Sequence, residues 1–146
     1  MKTIFTYIAL IASFASFAQH MGVGFEMLEK GDNIEAVSFF KKVLNEFPSN
    51  KTAQLCYARA VGLSGEPTKA KLLFEDMLTE YPSDFEIKLN YAESLLWNQE
   101  YPAAVAFYTI LIEEQPHNFT ALLGLANSHF NVKAFDEALN YVAKAL

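Results

Sequence analysis

The chain has 146 residues, the size of one globular unit or one short array, and with 52% hydrophobic and 19% charged residues it is not an intrinsically disordered polypeptide. Eleven Lys and Arg stand against seventeen Asp and Glu, a net charge of −6, which leaves no basic surface for a nucleic acid held by phosphate contacts. The single cysteine, Cys56, excludes an internal disulfide and cannot by itself supply a thiolate zinc site.

The chain opens with Met1-Lys2-Thr3, followed by uncharged and mostly apolar residues from Ile4 to Ala18. One positive charge, a short apolar stretch and the small residues Ser16 and Ala18 flanking Phe17 predict a secretory signal peptide over 1–18, cut between Ala18 and Gln19. The polar and glycine residues Gln19, His20, Gly22 and Gly24 follow too soon for a membrane-spanning helix of about 20 apolar residues. The expected location is therefore the periplasm or cell envelope of a bacterium. The residue after the cut is Gln19 and the single cysteine lies at 56, so lipid anchoring at the cut is not expected. Loss of Lys2 takes the net charge from −6 to −7, because no acidic residue precedes Glu26.

From residue 17 onward a period of 34 residues governs the sequence. Pro48, Pro82 and Pro116 keep it, as do Ala36, Ala70, Ala104 and Ala138. The small residues Gly24, Ala58, Ala92 and Ala126 hold a second slot, and the large residues Phe40, Phe74, Tyr108 and Val142 a third. Within each period the apolar residues fall at helical spacing, as in Tyr91, Ala92 and Leu95 and then Ala104, Phe107, Tyr108 and Leu111. Gly31-Asp32 and Gly65-Glu66 mark the turn between two helices, where glycine takes positive φ, and Pro67 and Pro102 sit in the first turn of the second helix. Pro48-Ser49-Asn50, Pro82-Ser83-Asp84 and Pro116-His117-Asn118 stop one helix and offer a short polar cap to the next. Ser83 with Glu86 has the spacing of a capping box.

A repeated helix, turn, helix of 34 residues resembles the tetratricopeptide repeat. Four copies fall at about 17–50, 51–84, 85–118 and an incomplete 119–146, which with 1–18 leaves 19–146 as one repeat array. The fourth copy is nearest the family pattern, with Leu122, Leu125, Ala126, Phe135, Asp136, Glu137, Ala138 and Ala145. The slot where the family often carries tryptophan holds His20, Gln54, Lys88 and Leu122. The resemblance implies an all-α solenoid, a right-handed superhelix whose first helices line a concave groove.

Carried across slot by slot, that groove consists of Leu55, Arg59, Leu63, Leu89, Asn90, Glu93, Leu96, Trp97, Leu123, Asn127, Phe130 and Asn131. Leu89, Glu93, Leu96 and Trp97 share one helix face, and Trp97 and Phe130 are its aromatic anchors for a protein or peptide segment. The same leucines equally suit packing between neighbouring repeats. Some members of the family clamp a terminal carboxylate with lysines and asparagines; here those slots carry Met21, Phe25, Leu55 and Arg59, so such a clamp is not expected.

No catalytic, metal or cofactor site and no small-molecule substrate is expected. Cys56 is assigned no histidine neighbour among His20, His117 and His129 and reads as a packing residue. His129 occupies the slot of Met27, Val61 and Leu95 and reads as partly buried. Glu75-Asp76 and Glu113-Glu114 are adjacent on helices and diverge, while Gly22-Val23-Gly24 lies inside a helix rather than after a strand. The sequence thus predicts a non-catalytic interaction module of an exported protein. The alternative is a structural leading region of a longer exported protein, such as an outer-membrane barrel or envelope enzyme. The last helix shows no polar cap up to Leu146, so self-association through it is a further expectation.

Overall fold

Three short polar side chains start the first helices of successive repeats. Asn50, Asp84 and Asn118 each accept a hydrogen bond from a backbone N–H three residues on, that of Ala53, Ile87 and Ala121 respectively. The expected cap after each proline is thus present. The capping box is not: the cap is Asp84, which places Ser83 in the preceding turn and Ile87, not Glu86, at the third helical position. The structure is a computed structural model that describes residues 21–146; the expected targeting segment over 1–18, its expected cut at Ala18-Gln19 and His20 lie outside the described residues.

Among the described residues all regular structure is helical. Helix α1 is described over residues 21–30. It is followed by α2 (Asn33–Glu46), α3 (Lys51–Leu63), α4 (Pro67–Glu80), α5 (Phe85–Trp97), α6 (Tyr101–Glu114), α7 (Phe119–Asn131) and α8 (Phe135–Ala145). Pro67 and Pro102 sit in the first turns of α4 and α6, where the missing N–H removes no bond. The chain divides into two compact units at the glycine turn after α3, one ending at Ser64 and the other running from Gly65 to Leu146.

In the first unit, Ala36, Phe40 and Val43 of α2 meet Met21 of α1 and Ala53, Cys56 and Ala60 of α3. Cys56 is buried in that cluster, as a packing residue should be. In the second unit, Ala92 and Leu95 of α5, Ala104, Tyr108 and Leu111 of α6 and Ala121 and Leu125 of α7 form the core. Polar bonds fix the helix ends around it. Asn98 at the end of α5 donates from Nδ2 to the Pro67 carbonyl at 2.8 Å and accepts from Thr68 Oγ1 at 2.9 Å. Lys71 reaches Glu100 at 2.7 Å and Lys88 reaches Glu114 at 2.6 Å.

The connection between the two helices of a repeat is a left-handed residue. Gly31 (φ 80°) and Gly65 (φ 99°) behave as their sequence predicts, and Gln99 (φ 61°) and Lys133 (φ 64°) adopt the same conformation one and two periods later. The N–H groups of Glu100 and Ala134 return to the carbonyls of Leu95 and His129, five residues back, which closes each helix end. Side chains with a Cβ are strained there. Gln99→Gly and Lys133→Gly should each raise stability by about 0.5–1 kcal/mol, read as a higher denaturant midpoint at unchanged slope. A second prediction contrasts two helical glycines. A Cβ at Gly124 in α7 would run into the buried Tyr108 ring, whereas one at Gly22 in α1 meets nothing. Gly124→Ala should destabilise by about 1–3 kcal/mol through overpacking, and Gly22→Ala should stabilise by about 0.5–1 kcal/mol through helix propensity, both read by thermal or denaturant unfolding.

Candidate functional site

The candidate surface belongs to the first helices of the repeats, and each unit presents its own part. In the first unit, Arg59 and Leu63 of α3 are exposed. Leu55 is not; at 7% exposure it is buried, so its proposed place on an open groove is corrected to the interior. In the second unit the relevant helices are α5 and α7, which touch each other. Asn90 is also corrected. It is 6% exposed, and its Nδ2 donates to the Glu86 carbonyl at 2.8 Å, an internal bond of α5 that leaves the amide unavailable to a partner.

The remaining α5 residues sit at intermediate depth. Leu89 and Leu96 pack against the α5/α6/α7 core from its edge, so part of their apolar surface is already used between repeats. Glu93 and Trp97 are half-buried on the same helix. On α7 the surface opens. Leu123, Asn127 and Phe130 are exposed and Asn131 is partly so, with Phe130 at 60%. Asn131 donates from Nδ2 to the Asn127 carbonyl at 2.8 Å and to its Oδ1 at 2.9 Å, which holds the two amides as a pair on one helix edge.

Beside these residues lies an apolar trough between α7 and α8. Its volume is about 580 Å³, and Leu123, Ala126, Phe130, Phe135, Leu139 and Val142 supply most of its walls. Phe130 and Phe135 meet edge to face with ring centroids 5.5 Å apart across the α7–α8 turn. Phe135 is 52% exposed and Leu139 68%. The sequence reading places Leu123 and Phe130 on this surface but misses Phe135, Leu139 and Val142: it reads Phe135 and Val142 as pattern positions of the repeat and gives Leu139 no role. The period itself carries the missing signal. One period upstream the same slots hold Tyr101, Val105 and Tyr108, and Val105 and Tyr108 pack toward α7.

Electrostatically the surface is quiet. Burial, with a smaller push from the Glu93 charge, raises the Tyr108 phenol well above the ordinary tyrosine range and keeps it neutral beneath α7. Burial and then the neighbouring Glu75 raise Tyr91, whose hydroxyl donates to Glu75 Oε1 at 3.3 Å. His129 stacks on Tyr141 at 5.4 Å, in keeping with a packing role. Among the described residues no three His, Cys, Asp or Glu side chains gather as a metal cluster, and no helix is long and apolar enough to cross a membrane.

Residues 63–116 match one family model described as tetratricopeptide repeat, and residues 92–146 match a second with the same description. No curated protein sequence matches the chain. Among solved structures, it is similar to a thermophilic tetratricopeptide-repeat protein of Thermus thermophilus, with TM-score 0.79 and 15% identity over 88% of this chain and 72% of that one. MamA from Desulfovibrio magneticus RS-1 is similar at TM-score 0.70 and 16% identity, covering 88% and 72%. A tetratricopeptide repeat protein from Parabacteroides merdae is similar at TM-score 0.65 and 18% identity, covering 88% and 52%. At these identities the likeness concerns the fold. The two matched segments together run from residue 63 to residue 146, and over them the chain carries tetratricopeptide repeats.

Proposed function

We propose that the chain is a non-catalytic protein-interaction module of an exported, cell-envelope protein, and that it holds a partner segment on the adjoining faces of α5 and α7. The observation that carries this reading is the combination of half-buried Trp97 and Glu93 on α5 with exposed Phe130 and the Asn127–Asn131 amide pair on α7. Aromatic side chains offer a large contact area with little rotamer entropy to lose, and amides on a fixed edge supply hydrogen bonds to an incoming backbone. The tetratricopeptide-repeat fold supports it, because that fold serves protein interaction.

A photo-crosslinking residue placed at Asn127 in the protein's native cells tests the surface. It should give a discrete protein adduct that Trp97→Ala reduces about tenfold, while helicity by circular dichroism stays unchanged, the loss expected of an interface anchor worth roughly 1–2 kcal/mol. An adduct indifferent to Trp97→Ala, or a loss of helicity in that variant, would remove Trp97 from the binding surface. Export has its own measurement. The protein recovered from the envelope fraction should begin at Gln19 by N-terminal sequencing. Retention of Met1 to Ala18 in that fraction would refute cleavage.

A further inference from the structure

We infer that the partner segment is cationic and extended: it runs along α5 with two lysine or arginine side chains, three residues apart, seated on Glu86 and Glu93. This rests on the partner surface proposed above and names the chemistry of what that surface holds. Charge is unevenly shared along the chain. Residues 21–64 carry five Asp and Glu and five Lys and Arg, whereas Gly65 to Leu146 carries twelve Asp and Glu, five Lys and no Arg, a net charge of −7. Most lysines of that second unit are engaged away from α5's inner face. Lys69 pairs with Glu66 at 3.2 Å, Lys71 with Glu100 at 2.7 Å and Lys88 with Glu114 at 2.6 Å, while Lys144 lies over the Tyr141 ring at 4.7 Å. An approaching segment therefore meets a negative potential, which favours a partner of opposite charge.

Helix α5 gives that potential two fixed points. Seven residues separate Glu86 from Glu93, two turns that bring both to within about 20° of one helix face, the side that carries Leu89 and Trp97. Glu86 is exposed and Glu93 half-buried. The same slots hold Thr52 and Arg59 on α3 and Thr120 and Asn127 on α7, so among these helices the pair of acids belongs to α5. A carboxylate has acceptor sites for several donors, so contacts of Glu93 within the chain do not exhaust it. Trp97 stands one turn beyond Glu93, and a cation held there reaches the indole face as well.

The spacing selects the backbone of the segment. Seven helical residues put the two acids about 10 Å apart along the axis. A polyproline II segment turns once in three residues and places side chains i and i+3 on one side, about 9 Å apart. A β-strand offers same-side spacings of about 7 and 13 Å, and neither matches. A helical partner has its backbone groups bonded internally and could not use the amides of Asn127 and Asn131.

Titration of the full chain with acetylated, amidated Gly-Ser decapeptides, read by the fluorescence of Trp97, its single tryptophan, tests this. A peptide with two arginines three residues apart should bind, and one with two glutamates at those positions should not. Arginines seven residues apart should bind about fivefold more weakly, no better than a single arginine. Glu86→Gln and Glu93→Gln should each weaken the first peptide by about threefold to fivefold at unchanged helicity by circular dichroism, and added salt should weaken it further. Glu80→Gln, at an exposed acid on α4, should change nothing, which separates a seat on α5 from attraction to overall charge. Failure of the first peptide to bind, equal binding at both spacings, or indifference to both α5 variants overturns the proposal. The crosslink from Asn127 in native cells distinguishes the two readings. An adduct that Trp97→Ala reduces, but Glu86→Gln with Glu93→Gln does not, keeps the partner surface and overturns its cationic occupant; absence of any adduct removes the surface itself.

Discussion

Close approach of helices through small residues is the constraint on which the structure rests. Gly24 lies so near the rings of Phe39 and Phe40 that a Cβ would collide with them, and Gly124 stands in the same relation to Tyr108. In the slot of Gly24 the later repeats carry alanine, and Ala58, Ala92 and Ala126 are all buried. Each pairing sets one large side chain into a hollow made by small ones, which keeps interior packing dense without straining rotamers. Within each unit, alternating large and small slots at fixed intervals set how neighbouring helices pack.

The polar groups at the helix ends serve the same geometry. Asn50, Asp84 and Asn118 satisfy first-turn N–H groups that would otherwise lie near the core, and Asn98 ties the end of α5 to the start of α4. Gln99 and Lys133 show how strongly the repeat imposes its turn. Neither favours positive φ, yet both adopt it in the slot where the earlier repeats have glycine. Burial of the following helix supplies the energy that offsets this strain.

The slots that take α7 in the interior of the second unit recur one period later as the walls of the trough between α7 and α8, where Phe130 and Leu139 are exposed. The surface proposed for a partner on α5 and α7 combines aromatic side chains with fixed amides, and its Leu123, Asn127 and Phe130 also line the trough. Leu89 and Leu96 seal the edge of the core beside that proposed face.

Much of this is legible in the sequence because helix boundaries and repeat register are local properties. The prolines, the polar caps, the Gly31 and Gly65 turns and the small and large slots set the helix pairs without reference to distant residues. Three features are not local. The cap falls on Asp84 rather than Ser83 because the turn geometry after Pro82 decides which oxygen faces the free N–H groups. Leu55 and Asn90 are buried although their slots read as groove, because helical spacing identifies a face and not what covers it. Phe135, Leu139 and Val142 carry the apolar pattern of packing residues and yet are exposed. The sequence by itself determined the repeat, its helices and its core slots, since these depend on intervals along the chain; tertiary structure alone decided which apolar faces are buried, because burial depends on the helix that lies opposite.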